Sequence, residues 1–436
     1  MLWSKSGRRE NIVIREARVV DPVEGVDAVL DIRIDCGAIS RLESPDSSRS
    51  TNEHHVLDGR GLVLAPAFVD PHVHLRTPGR EDEETIASGT RAAAAGGYCA
   101  VLAMPNTDPV VDSPAVLGAL VETAKAEAEV PVGFLAAITK RQAGAELAEL
   151  GGLADAGAVG FTDDGSPVAS PGVMRRALQY GAVTDRPIAV HCEERALSRD
   201  GQMHEGDVSA ELGFAGYPSV AESVMVERDL ALAAYERRPL HLLHLSAAES
   251  VAALSRAQAS GHAATAEVTP HHLCLTDEAV RTLDANVKMN PPLGSEDDRR
   301  ALVQGLLDGT IDCVATDHAP HARHEKEVPF EEAPFGVTGL ETAFAALYTN
   351  LVEPGLVTLE TLLARMSAGP ARAYGLDEPR IAVGAPANLV LLDLDASWTV
   401  TEAGFRSRSA NSWLLGRRLK AAVRATIAAG RLVYAA

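Results

Sequence analysis

One pattern recurs eight times through the middle of the chain. A short apolar run ends in a polar or ionisable residue, and a stretch rich in Ala, Leu and Glu follows it. The runs are GLVLAPAFVDPHVH, GYCAVLAMPN, VPVGFLAAITK, AGAVGFTDD, RPIAVHCE, RPLHLLHLS, GHAATAEVTP and TIDCVATDH. Apolar runs that alternate with helical segments are typical of parallel strands buried on both faces. Eight such units in 436 residues predict an α/β fold, a closed (β/α)₈ TIM barrel.

The two ends of the chain carry a different pattern. Residues 11–64 contain NIVIREARVVD, AVLDIRID and HHVLDGRGLVLAP, and the C-terminal stretch contains ANLVLLDLDASWTV and RATIAAGRLVYA. These β-type runs alternate with turn signals, and a Ser-rich run at about 40–56 predicts a surface loop. We predict a small composite β-sandwich domain built from residues 1–64 and 380–436, and a barrel at 65–379.

Charge and composition exclude several classes of protein. The net charge of -20 argues against a nucleic-acid-binding surface, which needs a basic stripe. The charged N-terminal segment lacks the apolar run of a signal peptide, and no stretch approaches the roughly 20 apolar residues that span a bilayer. Five scattered cysteines without a CxxC pair indicate buried free thiols in a reducing compartment. We therefore expect a cytoplasmic protein with no membrane or nucleic-acid partner.

The polar residues that end the eight runs are the candidates for chemistry, because barrel active sites lie at the carboxyl ends of the strands. In chain order they are His72, His74, Asn106, Asp163 or Asp164, His191, His244 and Asp317, with His318 and His321 just beyond. A single histidine at any of these places could equally be a structural residue that makes an ordinary hydrogen bond, and not a metal ligand. Together they predict a metal centre, because imidazole is a good zinc ligand.

Local spacing suggests how such a centre is built. His72 and His74 stand two apart on a strand, so their side chains point to the same face. Four histidines would supply two ligands to each of two ions, and paired cations need an anionic bridge. Asp163 or Asp164 could provide it; spacing does not decide between them, and either could be a helix N-cap. Asp317 can touch a metal and accept a proton from water.

Seven motifs resemble the cyclic amidohydrolase group of the amidohydrolase superfamily. They are HVHLR (72–76), MPNT (104–107), FTDDG (161–165), HCE (191–193), HLS (244–246), NPPL (290–293) and ATDHAPH (315–321). The resemblance covers essentially the whole chain and is strongest to the class I dihydroorotases of bacteria. ATDHAPH followed by EEAPFG at 331–336 is its most specific segment.

The resemblance implies a site residue by residue. It implies two Zn²⁺ ions per subunit, bridged by Asp164 and a hydroxide and otherwise held by His72, His74, Asp317, His191 and His244. It implies Asp317 as the general acid and base. The substrate contacts would be His74, Arg76, Asn106, Asn290, His321, Phe335 and Gly336. Among these residues, Arg76, Asn106 and His321 would bind the carboxylate of the substrate. The guanidinium of an arginine can bind both oxygens of a carboxylate.

The bridging group separates the members of this group. Many relatives, hydantoinases and allantoinases included, bridge their metals with a carboxylated lysine from the fourth strand. This chain has no lysine between Lys140 and Lys288, so we expect no carboxylated lysine to bridge its metals. We interpret Lys140 as a charged residue of a loop. Two positions depart from the family, Thr77 in place of an acidic residue before Pro-Gly and Gly294 in place of an arginine after NPPL.

The function that the resemblance implies is dihydroorotase activity. A dihydroorotase reversibly hydrolyses the cyclic amide of (S)-dihydroorotate to N-carbamoyl-L-aspartate in de novo pyrimidine biosynthesis. Two alternatives stay open: a hydantoinase- or allantoinase-type cyclic amidohydrolase, and a non-catalytic scaffold. We expect a homo-oligomer with a small-molecule substrate, and a complex with an aspartate transcarbamoylase is a further hypothesis. The charged segment 321–336 is either a lid over the substrate or a plain surface loop, and we expect His271 and His272 to be structural.

Overall fold

The computed structural model describes residues 1–7, 9, 11–45 and 54–436, so residues 46–53 of the predicted Ser-rich loop lie outside the described part. The strands are β1 Ile12–Asp21, β2 Val26–Asp35, β3 Ala38–Glu43, β4 His55–Asp58, β5 Val63–Pro66, β6 Phe68–Val73, β7 Tyr98–Ala103, β8 Val132–Ala136, β9 Gly160–Phe161, β10 Ala189–Val190, β11 Met203–His204, β12 Gly216–Tyr217, β13 Leu240–Leu242, β14 Ala264–Val268, β15 Cys313–Val314, β16 Leu389–Thr399, β17 Arg418–Ala428 and β18 Arg431–Ala435. The α-helices are α1 Ile86–Ala95, α2 Pro114–Glu127, α3 Leu150–Asp155, α4 Pro171–Thr184, α5 Arg195–Ser198, α6 Asp207–Leu212, α7 Val220–Glu236, α8 Ala248–Ala259, α9 Pro270–Cys274, α10 Glu296–Asp308, α11 Arg323–Lys326, α12 Ala343–Leu347, α13 Leu359–Met366 and α14 Ala368–Ala373.

Eight parallel strands close into a barrel. β6, β7, β8 and β9 form one four-stranded sheet, and β10, β13, β14 and β15 form another. Parallel bridges join the two sheets at both seams, Phe161 to Ile188 on one side and Val73 to His318 on the other. The predicted α/β barrel is therefore confirmed, and the helices between its strands cover the outside.

Each of the eight predicted runs contains one barrel strand, but the first run is divided. Its front part, β5, pairs with β1 and with β16 in the second sheet of the molecule, and only β6 enters the barrel. The change of sheet falls at Ala67, whose amide donates to Asn388 O over 3.0 Å. Apolar character alone does not report which of two sheets a buried strand joins.

The strands from both ends of the chain form one continuous sheet in the order β18-β17-β16-β5-β1-β2-β3, with β4 paired to β1. The sheet curls until the β2–β3 turn meets the β17–β18 turn, where a Cβ on Gly430 would come within 2.2 Å of Gly37 Cα. A separate core lies inside the curl, made of residues such as Ile12, Ile34 and Leu391. The two ends of the chain thus share one curled sheet, while the description of this domain as a sandwich and its boundaries at 64 and 380 stay predictions.

Two further expectations concern the surface and the cysteines. No helix within the described ranges is both long and apolar enough to cross a membrane. All five cysteines are free, and Cys99, Cys192 and Cys313 are buried. The expectation of burial is wrong for Cys36, which is exposed at the β2–β3 turn.

Candidate metal centre

The six predicted metal ligands converge at the carboxyl ends of the barrel strands. His72 lies within β6, and the others follow the ends of five strands by one to three residues: His74, Asp164, His191, His244 and Asp317. Each side chain belongs to a residue that is at most 7% exposed. Burying six polar groups together is costly unless they are paired or hold a metal.

Three residues of this rim have left-handed backbones. The φ angles are 57° at Arg76, 31° at His244 and 47° at Asp317. Residues other than glycine rarely adopt positive φ angles, and this backbone strain costs on the order of 1–3 kcal/mol at each position. A strand has negative φ angles, so the backbone leaves the strand conformation at these three residues. This change of direction points their side chains into the barrel mouth.

Asp164 stands between two pairs of imidazoles. Its Oδ2 lies 3.5 Å from His72 Nε2 and 3.6 Å from His74 Nε2. Its Oδ1 lies 3.5 Å from His244 Nε2 and 3.8 Å from His191 Nδ1. Each carboxylate oxygen therefore faces one pair, which is the arrangement that a carboxylate bridging two cations requires.

Asp163 faces away from the histidines. Its Oδ1 accepts hydrogen bonds from the amides of Ile138, at 2.8 Å, and Thr139, at 3.1 Å, and its Oδ2 accepts from the Thr139 hydroxyl. Burial raises the pKa of Asp163 to about 6 against the effect of these donors. The ambiguity left by spacing is thus resolved by geometry: Asp163 ties the end of β9 to the end of β8, and Asp164 faces the centre.

Asp317 completes the centre from the last strand. Its Oδ1 lies 3.0 Å from His74 Nε2 and 3.4 Å from His72 Nε2. Burial opposes ionisation of Asp317, but the neighbouring His72 and His74 hold the pKa of this carboxyl below its ordinary value. An ionised carboxylate here can both bind a cation and accept a proton.

The outward ring nitrogens have acceptors of their own. His72 Nδ1 donates to Glu267 Oε1 over 2.6 Å, and His191 Nε2 donates to Glu193 Oε2 over 3.1 Å, since a carboxylate only accepts. His74 Nδ1 lies 2.9 Å from the amide oxygen of Asn106. These contacts place the protons outside and leave lone pairs on the inward nitrogens, as in the carboxylate–histidine pairs of zinc sites.

The donor set fits divalent metal ions. His72 Nε2 is buried and has no hydrogen-bond partner in the part of the chain that the structure describes. Two carboxylates and four imidazoles, three of which have outward partners that leave an inward lone pair, suit Zn²⁺, which binds nitrogen and oxygen ligands. The positive charge of metal ions would also balance the two buried carboxylates.

Glu267 was missed by the sequence reasoning. It is fully buried in β14 and accepts from His72 Nδ1, from His241 Nε2 at 3.1 Å and from the His244 amide at 3.3 Å. Burial works against its charge, yet His72 and His241 lower its pKa to about 2. An acidic residue inside the apolar run GHAATAEVTP was the available signal, because a buried carboxylate needs partners.

A cavity of about 200 Å³ opens above the centre. Its lining contains all seven predicted substrate contacts, His74, Arg76, Asn106, Asn290, His321, Phe335 and Gly336. Gly336 has a φ of 119°, and a Cβ there would meet Ala319 Cβ at 2.7 Å, so only glycine fits. The space is of the size of a small ring compound.

The charged side of the cavity is a cluster of ion pairs. The Arg76 side chain is only 14% exposed, and its Nε lies 2.8 Å from Glu83 Oε2. Its Nη2 lies 3.4 Å from His321 Nε2, which also contacts Phe335 O at 2.8 Å. The Arg76 guanidinium therefore stands at the wall where a ligand carboxylate can reach it.

The segment 321–336 is tied to the barrel by two lysines. Lys288 Nζ donates to Phe330 O over 2.8 Å and to Glu331 O over 2.9 Å. Lys326 Nζ donates to Ala285 O over 3.0 Å and to Pro334 O over 2.7 Å. The role of the segment as a lid stays a prediction.

The remaining sequence expectations concern side chains near the centre. Lys140 is 48% exposed at its side chain and pairs with Glu146 at 2.5 Å, so it is a loop charge. His272 Nε2 donates to Pro291 O over 3.0 Å, which is a structural contact. At Gly294 a Cβ would come within 2.9 Å of Asp298 Cβ, so the small residue suits the close start of α10.

Comparisons with known proteins show the family of the chain. A family model described as "Dihydro-orotase-like" matches residues 61–250, and one described as "Amidohydrolase family" matches residues 336–434. The chain is 45% identical to a dihydroorotase of Pelotomaculum thermopropionicum over 422 residues, covering 97% of this chain and 98% of that protein. It is also 45% identical to a dihydroorotase of Anaeromyxobacter dehalogenans over 429 residues, covering 97% and 98%.

Among solved structures the chain resembles cyclic amidases. An L-hydantoinase from Arthrobacter aurescens superposes with a TM-score of 0.87 at 25% identity, covering 97% of this chain and 96% of that one. A dihydropyrimidinase from Brevibacillus agri superposes with a TM-score of 0.83 at 22% identity, covering 97% and 94%. The second likeness, at its low identity, concerns the fold alone.

Proposed function

Because this chain belongs to the dihydroorotase family of the amidohydrolases, we propose that it interconverts (S)-dihydroorotate and N-carbamoyl-L-aspartate in pyrimidine biosynthesis. One observation carries the proposal on the structural side. The carboxylate of Asp164 lies between two histidine pairs, and Asp317 and Arg76 line the same small cavity. That arrangement combines a metal-binding floor, a proton acceptor and a cation for a substrate carboxylate.

We infer that the centre holds two zinc ions. His72, His74 and Asp317 would hold one, His191 and His244 the other, and Asp164 would bridge them. When bound, such ions lower the pKa of water toward about 7 and polarise a carbonyl. Glu267 and Glu193 keep the protons of His72 and His191 on the outward nitrogens, so that the inward ones can bind metal.

Asp317 moves the proton in this proposal. In the hydrolytic direction its carboxylate accepts a proton as water adds to the ring carbonyl. The C–N bond of the ring then breaks, and Asp317 returns that proton to the departing nitrogen, which leaves N-carbamoyl-aspartate. The reverse sequence closes the ring. Asp317 lies in the wall of the cavity with its Oδ1 3.0 Å from His74 Nε2, and this position supports its role in proton transfer.

The other cavity residues orient the substrate. Arg76 would bind both oxygens of the substrate carboxylate, with His321 and Asn106 beside it. Asn290 donates from Nδ2 to Glu193 Oε2 over 3.3 Å, while its Oδ1 is buried and finds no hydrogen-bond partner among the described residues. That free acceptor suits a ring N–H of the substrate.

Turnover by purified protein of known metal content tests the activity. We expect ring opening of dihydroorotate, ring closure of N-carbamoyl-aspartate, and rates that rise with metal occupancy. Hydantoin and allantoin serve as the comparison substrates, because hydantoinases share the fold. Turnover of either without turnover of dihydroorotate would contradict the proposal, and inactivity of the metal-loaded protein on all three would favour the scaffold alternative.

We propose that the enzyme is a homo-oligomer, and a complex with an aspartate transcarbamoylase remains a hypothesis. Sedimentation of the protein alone and with an aspartate transcarbamoylase measures both. Dihydroorotase activity that appears only in the mixture would support the complex, and full activity of the isolated chain would count against the need for it.

Glu267→Gln is expected to weaken metal binding about 10- to 100-fold, the usual effect of losing a carboxylate behind a metal-bound histidine. Glutamine keeps the shape but can present an N–H to His72 Nδ1, which disturbs the proton arrangement of the ring. Titration against a chelator measures the affinity, with the exposed Glu122→Gln as the matched control. An unchanged affinity in Glu267→Gln would show that this contact does not tune the centre.

A further inference from the structure

The carboxylate of Glu83 lies behind the two residues that line the charged side of the cavity. Glu83 is 2% exposed and belongs to the loop between β6 and α1. Its Oε2 is 2.8 Å from Arg76 Nε, and its Oε1 is 3.3 Å from His321 Nδ1. One buried carboxylate thus contacts both cavity side chains from the side opposite the ligand space.

The Arg76 guanidinium is held at its Nε, while its Nη2 lies 3.4 Å from His321 Nε2. Arg76 Nε is engaged by Glu83 and by Pro320 O, to which it donates over 3.1 Å. Burial lowers the pKa of the Arg76 guanidinium, and the negative charge of Glu83 opposes that effect. A buried guanidinium without a partner would turn toward other carboxylates or toward solvent, so Glu83 holds it in one orientation.

Glu83 also connects the cavity with the segment 321–336. Arg80 Nη2 lies 2.9 Å from Glu83 Oε1 and 2.7 Å from Oε1 of Glu325, a residue of α11. Thr77, which stands where the family usually has an acidic residue, has a buried hydroxyl without a hydrogen-bond partner in the described chain. The carboxylate that accompanies Arg76 in this protein therefore comes from Glu83.

We propose that Glu83 is a positioning residue that orients Arg76 and His321 to bind the carboxylate of the substrate, and that it thereby sets the preference for ring compounds that carry this group. The inference rests on the proposed function, because it assumes an anionic cyclic amide as substrate. Glu83 touches no reacting atom; it acts through the two side chains that it holds. Removing its charge should weaken binding of the carboxylate and leave the chemical step unchanged.

Glu83→Gln is the variant that tests this role. We expect the KM for dihydroorotate to rise at least about 10-fold, the order of a misplaced bidentate contact, while kcat changes less than about 3-fold. Dihydrouracil, the same ring without the carboxylate, should inhibit the wild type and the variant equally. Metal content should stay at the wild-type value, and the exposed Glu332→Gln is the matched control.

A second variant separates orientation from folding. Arg80→Ala leaves the Glu83–Arg76 pair and removes the link to Glu325, so its KM should rise less than that of Glu83→Gln. An unchanged KM in folded Glu83→Gln would overturn the inference. A lower KM would overturn it as well, because the charge of Glu83 would then oppose binding. A fall in kcat and metal content together would indicate a purely structural role.

The measurements distinguish this inference from the proposed function. A metal-loaded wild type that does not turn over dihydroorotate refutes the function. Calorimetric affinities for dihydroorotate and dihydrouracil need no turnover and compare the wild type with Glu83→Gln in either case. An active wild type with equal affinities in the variant refutes the role of Glu83 alone.

Discussion

Asp317→Asn is expected to lower kcat for dihydroorotate ring opening about 10²- to 10⁴-fold, the contribution of a positioned general acid and base. Asparagine retains the size of the side chain but cannot accept the proton that the reaction must move. The same change removes the negative charge of a carboxylate that lies 3.0 Å from His74 Nε2 and 3.4 Å from His72 Nε2. The loss should therefore appear in both directions of the reaction.

Metal content decides how the Asp317 result is read. Steady-state rates are measured at equal metal occupancy, with Asp297→Asn at an exposed position as the matched control. A variant that binds metal normally and keeps more than about a tenth of the wild-type kcat would contradict Asp317 as the proton carrier. A variant that loses activity only in proportion to its metal would assign Asp317 to metal binding alone.

Substitution of the adjacent Asp163 and Asp164 should have different effects on the metal content. The expected loss of activity in Asp164→Asn is the second large effect. Asp164→Asn is expected to lower the metal content below the two ions per chain that we propose and to reduce kcat at least about 10²-fold, since a neutral amide bridges cations poorly. The reason is geometric, because Asp164 alone of the two directs one oxygen to each histidine pair.

Asp163→Asn is the matched control one residue away. Its carboxylate accepts from the amides of Ile138 and Thr139 and from the Thr139 hydroxyl. Its replacement should cost about 1–3 kcal/mol of unfolding free energy and leave the metal content unchanged. Elemental analysis and thermal unfolding measure both variants. Metal loss in Asp163→Asn with full metal in Asp164→Asn would reverse the assignment.

The eight strands and the helices α1, α2, α4 and α7 between them were predictable because their signals are local. A helix such as α7 at Val220–Glu236 matches the Ala- and Leu-rich stretch that predicts it, and β7 matches its apolar run. The position of the candidate site followed from the fold, since ionisable residues ended successive runs. The family resemblance, confirmed at 45% identity over nearly the whole chain, supplied the roles that spacing alone left open.

The contacts that support the cavity were not predictable in the same way. Glu267 contacts His72, which lies nearly 200 residues earlier in the chain. Glu83 contacts Arg76 within the same short loop. Glu83 sits in a sequence context without a distinctive motif, and the signal for Glu267 was only an acidic residue inside an apolar run. Their importance comes from burial beside specific side chains, which is a property of packing.

The sequence by itself determined the barrel, the β-rich character of the two chain ends and the strand ends that carry the candidate chemistry, because hydrophobic periodicity is encoded locally. The tertiary structure shows that Asp164, which the resemblance had implied, and not Asp163 faces the histidines, and it alone revealed that Glu83 stands behind Arg76. Asp164 lies three residues beyond the end of β9, where the alternation of a strand no longer sets side-chain direction. Beyond a strand end the direction depends on backbone turns and on partners across the barrel, which exist only once the chain has folded.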